Sequence, residues 1–287
     1  MNFSLKSEYW DSQKDKTAFK KFILNIHGLD FNAWDNAGFW DDAYTPFSFF
    51  NGDEIVSSVC IYLMDAIVNG KPVGLVQISG VGTLAEFRRR GLSRELTDIG
   101  LEWARGKHEG IFLFADEDAI PYYQRCGFNA HDEYLEILEV EPIPSKEGIT
   151  KLNPQIDTDL KKIFNYVSSR SALSDKFFIK NPKLDMFHVL YTLKDHIYEI
   201  QDLDCIICFK RDNSTLNIFD IVSNSVPTFI DIYPYISHPM DAQVKFHFYA
   251  DKLGINDVSL QRIKDANLFV KHPFLIKQPV FPYTSKA

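Results

Sequence analysis

Hydrophobic positions along the chain change period several times, and each change predicts an element. Apolar residues recur every three or four positions from Thr17 to Asn25, which predicts a helix ended by Gly28. Phe31–Tyr44 keeps no period; Trp34, Phe39, Trp40 and Tyr44 stand among Asp35, Asp41 and Asp42. Three extended runs follow, Pro46–Phe50, Ile55–Val68 and Lys71–Thr83. Asn51-Gly52-Asp53 and Asn69-Gly70 join them with the composition of tight turns, so an antiparallel meander is expected. Leu92, Leu96, Ile99 and Trp103 restore helical spacing within Leu92–Lys107. Gly110–Ala115 is a short continuous apolar run, the pattern of a buried parallel strand. A short helix over Ala119–Cys126 and an alternating strand over Tyr134–Val140, closing the sheet, complete this half.

Pro142, Pro144, Ser145 and Gly148 make 141–149 read as a linker, which divides the chain into domains at 1–140 and 150–287. Beyond it, Thr158–Val167 predicts a helix. Val189–Tyr191, Ile197–Ile200, Cys205–Phe209, Leu216–Val222 and Val244–Phe248 predict strands of a second α+β domain. The last run, Pro273–Ala287, is too apolar for a free tail and is expected to pack on the protein.

Composition narrows the class. The chain has 287 residues, 45% hydrophobic and 24% charged, with a formal net charge of −8. An acidic balance of this size argues against a nucleic-acid or anionic-membrane binder. No run of about 18 apolar residues predicts a membrane span, and Met1–Glu8 lacks the pattern of a secretory signal, so a cytoplasmic address is expected. Four cysteines in this length build no disulfide framework. Cys205 and Cys208 form a CxxC inside a predicted strand without a second pair or nearby histidines, so buried reduced thiols are expected and no metal site.

The chemistry concentrates at Thr83–Leu96, where three arginines, Gly91 and Ser93 stand between an apolar strand and an amphipathic helix. The first N–H groups of such a helix lack intrahelical partners and point at one place, and the helix dipole adds to their attraction for an anion. Gly91 lets a phosphate approach the backbone without a Cβ in the way. About thirty residues on, Ala119, Tyr122, Tyr123, Gly127 and Phe128 form a second cluster. Together the two segments resemble the acyl-CoA-binding core of the GNAT superfamily of N-acetyltransferases. The phosphate-loop consensus of that family falls on Arg88-x-x-Gly91-x-Ser93, with serine in the final place usually held by glycine or alanine. Its later signature, A-x-x-[F/L]-Y-x-x-x-G-F, falls on Ala119, Tyr122, Tyr123, Gly127 and Phe128. The resemblance covers roughly residues 15–140 and implies a mixed, mostly antiparallel sheet flanked by helices. The second half resembles a degenerate GNAT-like half without a phosphate loop, or else is a separate α+β domain.

The resemblance implies acetyl-CoA as acyl donor and a primary amine, of a small molecule, as acceptor. Backbone N–H groups over Arg88, Arg89, Arg90, Gly91, Leu92, Ser93 and Arg94 would cradle the diphosphate. Val81, Gly82 and Thr83 would pair with the pantetheine arm, Gly80 and Gly82 marking a bulge or a close backbone approach. Tyr123 would protonate the leaving thiolate, with Tyr122 packed inward. Trp34, Trp40 and Tyr44 precede the meander and are candidates for the acceptor pocket, where aromatic faces suit a cationic amine. A non-catalytic acyl-CoA-binding module is the alternative. Glu54, Asp65 and Glu117 are candidate bases that no motif separates. Family members often carry asparagine where this chain has Asp116, which either turns to solvent, caps the next helix or forfeits a cofactor contact. The second half is expected to help select the acceptor, so that a chain ending near Glu141 would still bind acetyl-CoA.

Overall fold

The computed structural model describes residues 3–271 and 274–287. Met1 and Asn2 of the first segment weighed above, and Pro273 of the last, lie outside the described residues.

Strand β1 (Ser4–Ser7) precedes helix α1 (Gln13–His27), which Ser12 opens by accepting a hydrogen bond from the Asp15 N–H. A single turn, α2 (Asn32–Asn36), crosses the aromatic segment. The meander is β2 (Tyr44–Asn51), β3 (Glu54–Val68) and β4 (Lys71–Thr83). Helix α3 (Leu92–Trp103) ends sooner than the pattern predicts and leads to β5 (Gly110–Phe114), which pairs parallel with β4. Then come α4 (Ile120–Arg125), β6 (Asn129–Ala130) and β7 (Tyr134–Glu139).

The second half holds β8 (Ile149–Lys151), α5 (Asp157–Ser169), β9 (Phe177–Lys180) and α6 (Pro182–Tyr191). Val189–Tyr191, predicted as a strand, is the last turn of α6. This helix buries Leu184, Met186, His188 and Val189 together, so it shows no polar face from which its period could be read. Strands β10 (Ile197–Ile200), β11 (Cys205–Asp212) and β12 (Thr215–Ser223) form a second meander. Helix α7 (Phe229–Ile236) then leads to β13 (Gln243–Phe246), parallel to β12, followed by β14 (Ser259–Arg262) and β15 (Leu268–Lys271). Three-strand meander, helix and parallel strand thus occur in the same order in both halves, as a degenerate GNAT-like half requires.

The two sheets do not divide at the expected linker. The first runs β1-β2-β3-β4-β5-β15-β6, with β9 on β3; the second runs β14-β7-β13-β12-β11-β10-β8. Strand β7, expected to close the first sheet, instead pairs with β13 and β14 in the second. The place beside β5 belongs to β15, from the far end of the chain. Each half therefore supplies a strand to the other's sheet.

One hydrophobic cluster draws on both halves, from Phe19 to Phe281, and a second gathers buried residues of the second half alone. Phe281 packs its ring 4.8 Å from Phe112 and 5.3 Å from Phe114, so the terminal run packs on the first sheet as its apolar content predicts. Cys205 and Cys208 are both buried and unpaired in disulfides, and they lie in different hydrophobic clusters. Burial pushes the Cys205 thiol up to about 12 and the Cys208 thiol well above its ordinary value. Buried Arg170 ties α5 to β12, donating to Asp220 at 2.7 Å and to the Ile221 carbonyl at 2.9 Å, with Asp185 of α6 at 3.5 Å. Removing one member of such a set strands the others as buried charges. Arg170→Leu is therefore expected to cost about 3–5 kcal/mol, read from urea unfolding; a loss below about 1 kcal/mol would remove this network from the core's energetics.

Candidate active site

Strands β4 and β5 pair only at Leu75–Gly110, Val76–Ile111 and Gln77–Phe112, while β4 runs on to Thr83. The two strands separate beyond Gln77 and a wedge opens between them. On the other side of β4 the register to β3 shifts between Ser58 and Cys60, leaving Gly80 and Val81 without partners. Gly80 sits at φ +55°, and a Cβ there would meet the Tyr44 hydroxyl at 2.8 Å. A Cβ on Gly82 would meet Ile26 of α1 at 2.8 Å. The glycines thus allow both a bulge and a close helix.

The wedge opens into a cavity of about 1010 Å³. Val81, Gly82, Thr83, Arg88, Arg89, Arg90, Gly91, Leu92, Ser93, Arg94 and Tyr123 all line it. Gly91 is the N-cap of α3 at φ +80°, with no side chain capping the helix, and a Cβ on it would meet nothing within 4 Å. The first N–H groups of α3 are thus left to a ligand. Arg88 donates to the Thr83 carbonyl at 3.0 Å and Arg90 to the Glu86 carbonyl at 3.0 Å, which fixes the loop; both side chains, with Arg89 and Arg94, stay exposed. Leu92 turns its side chain into the core. Ser93 has a structural use: its hydroxyl lies 2.7 Å from that of Thr83, itself 2.8 Å from Ser57. This chain of hydroxyls joins α3 to β4 and β3. The matching junction in the second half is different, since Thr228 caps α7 by accepting from the Asp231 N–H.

Tyr123 is buried, its ring 6.2 Å from Phe128, and its hydroxyl has no hydrogen-bond partner among the described residues. Burial raises its pKa, and the charges of Tyr122, Asp116 and Cys126 add to that. The phenol is therefore protonated at neutral pH. Tyr122, expected to pack inward, is half-buried and shares a 2.8 Å hydrogen bond with Thr97 of α3.

Of the three acceptor candidates, Trp34 and Tyr44 line the cavity and Trp40 does not. Trp40 lies buried behind them, donating to the Tyr44 carbonyl at 3.2 Å, with the Lys16 ammonium 4.8 Å from its ring. Tyr62 takes its place in the lining, its hydroxyl donating to Asn181 at 3.1 Å. The second half contributes Leu184 and Phe187 of α6, and also Ala287, whose N–H and carbonyl both bond the Gln77 side chain at 3.1 Å. None of Glu54, Asp65 or Glu117 is part of the lining; Asp116, Asp118 and His27 are. No signal in the sequence marks Tyr62, His27 or the α6 residues, because each reaches the cavity through tertiary packing.

Residues 7–128 match the family model described as acetyltransferase (GNAT) family. Among solved structures, a conserved protein of Enterococcus faecalis V583 is 12% identical over 94% of this chain and 72% of its own, with a TM-score of 0.57. Eis1 of Mycobacterium abscessus is 14% identical over 93% and 73%, with a TM-score of 0.57. A GCN5-related N-acetyltransferase of Kribbella flavida is 18% identical over 93% and 71%, with a TM-score of 0.53. These likenesses extend the shared fold across both halves. None of the curated proteins compared with the chain matches it in sequence. Among the described residues no helix is long and apolar enough to cross a membrane.

Proposed function

We propose that the chain, whose residues 7–128 match the acetyltransferase (GNAT) family, moves an acetyl group from acetyl-CoA to a primary amine of a small molecule. The observation that carries this reading is the open wedge between β4 and β5, with an uncapped helix N-terminus at one end and the Tyr123 hydroxyl in the same cavity. The free N–H groups of α3 and the exposed arginines suit a diphosphate, and unpartnered Val81 offers backbone groups to an extended amide arm. An N–H from β4 would polarise the thioester carbonyl, a contribution worth about 2.7–4 kcal/mol in comparable sites. Tyr123 would hand its proton to the departing sulfur. The amine would attack directly, with donor and acceptor bound together.

The acceptor end favours a small cation. Phe31, Trp34, Tyr44, Tyr62 and Phe187 bring aromatic side chains to the cavity, a lining that suits an ammonium group on an apolar body. We assign residues 150–287 a share in this end, since Leu184 and Phe187 belong to it. A non-catalytic acyl-CoA sensor would need the cradle but not the aromatic chamber beside Tyr123.

Calorimetry is expected to give micromolar or tighter acetyl-CoA binding, about −8 kcal/mol, and a screen of amine classes should release free thiol. Gly91→Val should weaken binding at least tenfold while the melting temperature falls only slightly. A β-branched residue at positive φ is strained, and its Cβ would stand where the phosphate approaches. Unchanged affinity in that variant would take the α3 N-terminus out of the donor site.

A further inference from the structure

Asp116 follows the apolar run of β5 at the position where the family pattern often has asparagine. It opens the turn before α4 without capping it, so the helix gives its side chain no employment. Its exposed carboxylate makes no ion pair or hydrogen bond among the described residues, and it lines the same cavity as Tyr123.

Two neighbours show where its charge acts. It raises the Tyr123 hydroxyl of α4, and it opposes the burial that lowers the His27 imidazole of α1. His27 lines the same cavity, and its Nε2 is closed off from water with no hydrogen-bond partner. Burial leaves this ring neutral at pH 7, so it does not cancel the carboxylate's charge. The other charged side chains of the lining are Arg88, Arg89, Arg90, Arg94, Arg125 and Asp118, and Ala287 reaches it through its backbone. An exposed carboxylate without an ion-pair partner among the described residues, in one cavity with a proton donor and a neutral imidazole, is poorly placed to hold an anionic donor. It is well placed to hold a cation.

From this juxtaposition we propose that Asp116 receives the ammonium end of the acceptor and takes its proton. The proposal rests on the acyl-transfer reading above and supplies the base that reading lacks. An ammonium proton passes to an Oδ of Asp116. The freed lone pair forms the C–N bond to the acetyl carbon as the C–S bond breaks, its electrons staying on sulfur. Sulfur takes the Tyr123 proton, the second ammonium proton returns through water to the phenolate, and Asp116 gives its proton to solvent. The sum is one amide, one thiol and one released proton.

Asp116→Asn separates this role from a drifted donor contact, because the two readouts move in opposite directions. Acetyl-CoA affinity by calorimetry should be unchanged or tighter, since a negative charge near an anionic ligand is gone. With acetyl-CoA and phenethylamine or spermidine as probes, kcat/KM at pH 7 should fall about 10²-fold. The loss should shrink as pH approaches the amine's own pKa, about 10, where the acceptor arrives neutral. The His27 imidazole, assigned with His27→Gln and followed by NMR, should titrate at lower pH in D116N. Equal turnover and equal pH profiles in the two proteins would overturn the proposal, as would an unmoved His27 titration. Lost acetyl-CoA binding in a folded variant would assign Asp116 to the donor site instead. Wild-type protein that binds acetyl-CoA but acetylates no amine would overturn the acyl-transfer reading, and this role with it.

Discussion

A chain ending at Glu141 is expected to be insoluble or to melt without cooperativity, and to bind no acetyl-CoA. Truncation there removes β15 from the edge of β5 and β9 from the end of β3. It also strips Phe281 from Phe112 and Phe114, and it leaves β7 without either of its sheet neighbours. Leu268, Phe269 and Val270 are each at most 3% exposed. Each fully buried apolar side chain contributes about 1.5–3 kcal/mol. Losing these three and the side chains they cover removes an amount comparable to the whole stability of a domain, about 5–15 kcal/mol. Circular dichroism melting and calorimetry on the fragment decide the matter. A soluble fragment with a cooperative melt and micromolar affinity for acetyl-CoA would show that the first sheet stands without its borrowed strand. The sequence alone leads to the opposite expectation, because a proline-rich segment at 141–149 reads as a boundary whichever sheet its neighbours join.

Tyr123→Phe is expected to leave acetyl-CoA affinity within about twofold and to lower kcat about 10²–10⁴-fold. The ring is held by Tyr122 and Phe128, at 5.0 and 6.2 Å, and these contacts survive in phenylalanine. The hydroxyl has no hydrogen-bond partner to lose among the described residues, so the fold should be indifferent. Its raised pKa makes it a weaker acid than free tyrosine, but a thiolate leaving in a dry site is also a stronger base. Single-turnover measurement of thiol release isolates the step. A decrease of less than about tenfold would return Tyr123 to the core, and Tyr122, bonded to Thr97, would be tested next.

Local signals in the sequence mark local structure well. Asn51-Gly52 and Asn69-Gly70 place the hairpins, Gly80 and Gly82 announce the irregular strand, and the arginines before Gly91 mark the helix start that faces the cavity. Partners at long range leave no such mark. Alternation over Tyr134–Val140 identifies a strand but says nothing of the sheet it joins, because an alternating pattern specifies a face and not a neighbour. Helix α6 is missed for a different reason. Its run of buried positions matches a short strand, and only Asn181 at the N-cap and Pro182 in the first turn signal a helix start. No local mark separates the base candidates either. Glu54, Asp65 and Glu117 are ordinary exposed acids outside the cavity, while Asp116 looks in the sequence like a departure from the family pattern.

The exchange of strands between the halves has a consequence for how the protein is made. During synthesis the edge of β5 emerges long before its partner, since Leu268 pairs with Phe114 and must wait for some 150 intervening residues to be translated. At about 5–20 residues per second, that is on the order of ten seconds with an apolar strand edge uncovered on the ribosome. Folding from the N-terminus, one half after the other, is not open to this chain. The cavity between β4 and β5 belongs to the first sheet, and that sheet is completed only when residues 268–271 have left the exit tunnel. Nascent chains stalled before Leu268 are therefore natural clients for a chaperone, and completed ones are not.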